Sequence, residues 1–237
     1  IMALPKVNTP TYELVVPSTD EKVKFRPFLV KEEKILLIAM EAQEQSGILN
    51  AVKDIVKSCT FDKFDVNRAP IFDIEYIFLN IRAKSVGEVS TVNLRCPDDN
   101  ETFVQTEIDL TTVNVQITEG HTNKIELTDE MGMIMQYPTL DSFTDSTTVI
   151  NASNMLDVIA SCVSQIYDKK GEDVYDAKDS TKQEIVDFLE SLNSKQFLEI
   201  QKFFDTMPKL THTVTIENPE TKVKSDITLT GLNDFFV

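Results

Sequence analysis

The 237-residue sequence has no tryptophan, two histidines, three cysteines and six glycines. Each shortage removes a class of chemistry. Triad-type acyl transfer needs an imidazole base beside a nucleophile. Only His121, in a Gly-His-Thr-Asn stretch, and His212, between Thr211 and Thr213, could supply one; both are expected at the surface. No Gly-x-Ser-x-Gly elbow, Gly-x-Gly-x-x-Gly fingerprint or phosphate-loop lysine occurs, and scattered glycines build no phosphate cradle. Tryptophan, a common sugar platform, is missing, and no carboxylate pair stands out among the 39 acids. The expectation is no enzyme, no catalytic residue and no cofactor.

Basic residues are also short. The 23 Lys and Arg against 39 Asp and Glu give a net charge of −16, which excludes a simple nucleic-acid binder, because such affinity comes from cations displacing counterions. Cys59, Cys96 and Cys162 are odd in number and far apart, as suits free thiols in a reducing compartment. No apolar run approaches the roughly 18 residues needed to cross a bilayer. The opening residues show neither the basic start nor the apolar stretch of a secretory leader. A soluble intracellular protein is expected.

What is present is a globular composition, 41% hydrophobic and 26% charged. Residues 1–87 carry 12 basic and 12 acidic groups, residues 88–138 carry 2 and 10, residues 139–193 carry 4 and 11, and residues 194–237 carry 5 and 6. The acidity is concentrated in the middle. Alternation around Pro-Ser-Thr-Asp predicts a hairpin over residues 12–28, ended by Pro27. Spacing of three and four predicts helices over 31–42, 48–59 and 72–81, then a second hairpin over 89–110. A hairpin over 124–137, helices over 155–167, 181–192 and 194–207, and a last hairpin over 213–229 follow. Thr181-Lys-Gln-Glu184 has the capping-box spacing.

The fold class expected is α+β, with hairpins and helical clusters kept apart. The repeated order predicts two domains, 1–110 and 111–237, as an internal duplication of a hairpin, three-helix, hairpin unit. Phe72, Tyr76, Phe78, Leu79, Ile159, Phe188, Phe203 and Phe204 are the expected core.

Two turns raise the question of a metal. The turn beginning at Cys96-Pro97 has the shape of a zinc knuckle, which ordinarily presents Cys-x-x-Cys, and Asn218-Pro219-Glu220-Thr221 occupies the matching place in the last hairpin. Two thiolates from each would make a tetrahedral four-cysteine site. One thiol of four remains, so no metal is expected; the alternative reading is two ordinary hairpin turns. The acidic stretches 98–101 and 168–173 lack the twelve-residue calcium-loop pattern.

Residues 2–14, 23–37 and 72–87, with Val23-Lys-Phe-Arg-Pro-Phe-Leu29 and Asp73-Ile-Glu-Tyr-Ile-Phe-Leu79 among them, are similar to the baseplate hub and hub-assembly proteins of T4-like contractile-tailed bacteriophages. The resemblance implies a non-enzymatic, structural or chaperone-like part in building the tail baseplate. Its partners would be other hub or hub-assembly proteins, with no nucleic acid, and its places the host cytoplasm during assembly and the virion baseplate. Arg26, Pro27, Phe28 and Lys31, at a strand-to-helix junction, are candidate partner contacts. The alternative is a buried Phe28 with Arg26 paired to Glu32 or Glu33. Leu232, Phe235 and Phe236 at the apolar end are candidates too; the end either caps the last hairpin or waits for a partner. A different class, an acidic mimic of DNA that blocks a host enzyme, would need the carboxylates of 88–193 on one continuous face.

Overall fold

The computed structural model describes residues 8–42, 45–143, 154–170 and 173–235. They form an α+β fold in which every strand pairing is antiparallel. The chain divides into two compact units, residues 1–116 with 209–237, and residues 117–208. The expected boundary at 110/111 is therefore not where the contacts divide. The last hairpin belongs with the first unit, because its apolar face packs on residues between Leu79 and Val113.

In the first unit, β1 (Tyr12–Val15) and β2 (Lys22–Phe25) form the opening hairpin, with Tyr12 opposite Phe25. Helices α1 (Val30–Ala42), α2 (Gln45–Cys59) and α3 (Ile71–Val86) follow consecutively. Pro70 starts α3, where the missing N–H costs nothing, and Gly87 ends it at φ +141°, a region that disfavours side chains. Phe72, Ile74, Ile77, Phe78, Leu79 and Ile81 are all buried. A helix apolar on most sides is a central one. The hairpin of β3 (Val89–Arg95) and β4 (Phe103–Asp109) comes next, and β5 (Asn114–Gln116) joins the last hairpin, β10 (Lys209–Glu217) with β11 (Lys224–Thr230), in the order β11-β10-β5. Leu79 of α3 packs with Leu94, Ile108, Leu210, Ile216, Leu229 and Phe235 in one core.

The second unit holds a four-stranded sheet, β6 (Lys124–Glu126), β7 (Met131–Met135), β8 (Val163–Asp168) and β9 (Asp173–Asp176), in that order. Helices α4 (Met155–Ser161), α5 (Lys182–Glu190) and α6 (Ser194–Thr206) complete it. Both Thr181 and Asn193 form full capping boxes. Met133, Met135, Cys162, Leu189, Ile200 and Phe203 are among its core residues.

Two expectations are corrected. The helix expected over 155–167 stops at Ser161, and residues 163–168 become β8, clamped between β7 and β9. The helices of the second half are thus not consecutive, since a hairpin stands between α4 and α5. Of the expected core, Phe72, Phe78, Leu79, Ile159 and Phe203 are buried, whereas Tyr76, Phe188 and Phe204 are half-buried at the margins. No helix among the described residues is long and apolar enough to cross a membrane.

Candidate interaction surfaces

The strand-to-helix junction after β2 is held by an ion pair removed from water. Arg26 Nη2 donates to Glu32 Oε1 at 2.9 Å and to Ser58 Oγ at 3.0 Å; Ser58 in turn donates to Glu32 Oε1 at 3.0 Å, and the Leu29 amide donates to Glu32 Oε2 at 2.8 Å. Burial by itself would raise the Glu32 carboxyl. The Arg26, Leu29 and Ser58 hydrogen bonds outweigh it and hold the group at about 2. The Phe28 amide donates to Ser85 Oγ of α3 at 2.9 Å. Of the four candidates here, Arg26 faces inward to Glu32, Pro27 and Phe28 are half-buried, and Lys31 is exposed beside Glu32.

Because α1 spends its inward positions on Glu32, Leu36 and Ala39, its large apolar residues point out. Val30, Leu37 and Ile38 are 80%, 54% and 55% exposed, and Ile35 and Met40 are exposed beside them. The three-and-four spacing of Ile35, Ile38, Ala39 and Ala42 identifies the helix, but Ile35 and Ile38 lie in solvent. A buried Glu at position 32 was the one available signal, since its pairing with Arg26 turns the helix around.

The apolar chain end is placed by the core of its own unit. Phe235 is fully buried, Leu232 packs at the margin of the same core, and Ser90 Oγ donates to the Phe235 carbonyl at 2.6 Å. Phe236 lies outside the described residues. Glu75 of α3 accepts from the Leu232 amide at 3.3 Å. Burial pushes its carboxyl up to about 7, with Asp234 adding to the rise against the Leu232 bond.

His121 is half-buried, not at the surface as expected. Its ring forms a three-ring cluster with Tyr137 and Phe203, which also touch each other, with Nδ1 2.9 Å from Thr206 Oγ1 and Nε2 3.0 Å from the Tyr137 hydroxyl. Thr206 donates its proton to the Lys202 carbonyl at 2.6 Å, so it accepts from Nδ1–H, and Nε2 accepts from Tyr137. Burial lowers the imidazole pKa, favouring this neutral form. The three cysteines are free and buried, and burial pushes the Cys59 and Cys162 thiols up to about 11. No group of three or more His, Cys, Asp or Glu placed to hold a metal occurs among the described residues.

Sheet, caps and core define an α+β protein with tight internal polar pairing and an outward apolar helix. The family model of T4 bacteriophage base plate proteins matches residues 9–237, and the chain belongs to that family. It is a protein of a phage tail baseplate, where its partners are other baseplate proteins. Comparisons with curated proteins and with solved structures returned no match.

Proposed function

We propose that this chain is a non-enzymatic structural or assembly protein of the baseplate hub, made in the host cytoplasm and acting through protein–protein contacts centred on α1. The observation that carries the reading is the exposure of Val30, Ile35, Leu37, Ile38 and Met40 along one helix. Large apolar side chains left in solvent along one helix, interleaved here with the exposed charges of Glu33, Lys34 and Glu41, mark an interaction site with apolar anchors among polar groups. Lys31, exposed at its margin, supplies a polar rim. The occupant is another baseplate protein, not a second copy, because two chains each of net charge −16 repel. The hub assignment rests on the resemblance of residues 2–87.

The carboxylates of the acidic middle offer little support to mimicry of DNA. Asp99 and Asp109 accept from backbone amides of their own turns, Glu126 binds Lys169 and Tyr167, and Glu184 closes a capping box. These four are engaged within their own turns, strands and caps.

The test is co-expression with the other baseplate proteins of the phage, followed by size exclusion, for the parent and for Leu37→Glu/Ile38→Glu. The parent is expected in a complex that the variant loses, with stability within about 0.5 kcal/mol because both side chains are exposed. A complex indifferent to the variant, or none with any baseplate protein, sinks the proposal. A parent homodimer that the variant dissociates would replace the partner by a second copy.

A further inference from the structure

The tips of the β3–β4 and β10–β11 hairpins, far apart in sequence, meet side chain to side chain within the first unit. Asn218, 1% exposed, donates from Nδ2 to both carboxylate oxygens of Asp98 at 3.1 Å and to Asp99 Oδ2 at 2.9 Å. The Thr221 hydroxyl donates to Asp98 Oδ2. Cys96 lies at the base of the first tip, equally buried.

The two tips are built alike. The Asn100 amide donates to the Cys96 carbonyl at 2.9 Å, and the Lys222 amide to the Asn218 carbonyl at 2.9 Å. Asn100 and Lys222 both adopt left-handed backbone, φ +58° and +62°. Asp99 Oδ1 accepts from the amide two residues on, at 2.9 Å, and Thr221 Oγ1 does the same at 3.3 Å. The Cys96 amide closes its turn on Thr102 O at 2.8 Å and the Asn218 amide on Val223 O at 2.9 Å; the second loop is one residue shorter. Cys96 therefore corresponds to Asn218 and Asp99 to Thr221, each pair three residues apart with proline after the first member. That is the ligand spacing of a zinc knuckle, and two such knuckles facing each other make a closed tetrahedral site.

We infer that the paired tips are a four-ligand zinc site converted to a metal-free clasp, with Cys96, Asp99, Asn218 and Thr221 at the four ligand positions. The β1–β2 turn from Val16-Pro17 to Glu21 has the same backbone bonds and a left-handed Asp20 at φ +57°, so that geometry is common to hairpins. What sets these two tips apart is that they converge side chain to side chain. In the clasp, neutral amide and hydroxyl donors on one tip meet two carboxylates on the other, and these charge-assisted bonds join the turns that a cation would join. The first unit is thereby closed from residue 98 to residue 221, across the inserted stretch 117–208, with no dependence on metal supply.

The test restores the ligands in the full chain, as Asp99→Cys/Asn218→Cys/Thr221→Cys, kept reduced and titrated with cobalt(II). One cobalt per chain is expected, with the visible bands of tetrahedral thiolate coordination, displaced by equimolar zinc, and zinc should raise Tm. The parent should show no such bands and no zinc-dependent Tm. A folded triple variant lacking tetrahedral cobalt, or a parent stabilised by zinc, overturns the inference. Should the apo variant not fold, refolding with zinc is expected to recover a compact chain carrying one zinc. If that fails too, amide exchange in Asn218→Ala decides. Exchange about tenfold faster at Asn100 and Lys222, the equivalent of a lost hydrogen bond, with α3 unaffected, upholds the clasp, and unchanged exchange removes it.

Discussion

Two carboxylates of the first unit, Glu75 half-buried on α3 and Glu32 buried on α1, respond to pH in opposite directions. Glu75 is raised from 4.5 to about 7, so between those values the folded state holds a proton that the unfolded chain has released, and stability falls as pH rises through that window. Above 7 the buried charge persists as a cost. Glu75→Gln should therefore gain roughly 2–3 kcal/mol at pH 8, little near pH 4, and lose the intervening slope in urea denaturation. An unchanged slope would show that Glu75 titrates normally. Glu32, lowered from 4.5 to about 2, stabilises above 4.5, and that contribution is lost as pH falls towards 2. Its partner is the more sensitive target. Arg26→Met removes the buried partner of Glu32 and leaves it only the exposed Lys31 at 3.3 Å, which should cost about 3 kcal/mol, whereas Arg26→Met/Glu32→Leu should cost less than the single change. A double variant worse than the single would mean that the pair stabilises beyond relieving its own desolvation.

At the scale of elements, the second sheet depends on one glycine. Gly132 of β7 sits opposite Tyr167 of β8, and a Cβ at 132 would lie 2.2 Å from the Tyr167 hydroxyl oxygen and 2.7 Å from the Ile125 carbonyl oxygen. The ring can swing away, but the β6 backbone cannot without loosening its pairing. Gly132→Ala should cost about 1–3 kcal/mol by thermal or urea unfolding, and a neutral result would mean that the ring does not cover the strand. The same strand pair shows where sequence stops being informative. Ile159, Val163 and Ile166 follow a helical spacing, so residues 155–167 read as one helix, yet β-branched Val163 and Ile166 also suit a strand. Partners in β7 and β9 decide between them, and β9, with its Asp-Val-Tyr-Asp sequence, gave no signal of its own. Hairpins announced by Pro-containing turns and helices announced by caps were legible because their determinants are local. The Arg26–Glu32 pairing was legible as one of two alternatives, six residues apart. The clasp of Asn218 on Asp98 was visible only as two similar turns, since nothing in a linear sequence brings residues 120 apart together.

For the whole molecule, the consequential feature is that residues 117–208 form a compact unit inserted between two strands that are themselves neighbours. Gln116 at the end of β5 is the register partner of Lys209 at the start of β10, followed by Val115 with Leu210 and Asn114 with Thr211. The chain leaves the first unit and returns at adjacent points of one antiparallel ladder. A two-residue Asn-Gly turn spans such a pair, because its type I′ geometry matches the twist of the flanking strands. The core of the first unit draws all its residues from outside the insertion, and the insertion carries 7 basic and 17 acidic groups, net −10 of the total −16. Replacing residues 117–208 by Asn-Gly should therefore leave a folded protein with one cooperative thermal transition and less than half the original charge. It should still bind its baseplate partner and still lose it on Leu37→Glu/Ile38→Glu. Circular dichroism, size exclusion and the same co-expression assay check this. An unfolded product would show that the first unit needs the insertion to fold, and a folded one that no longer binds would move the docking surface from α1 into residues 117–208.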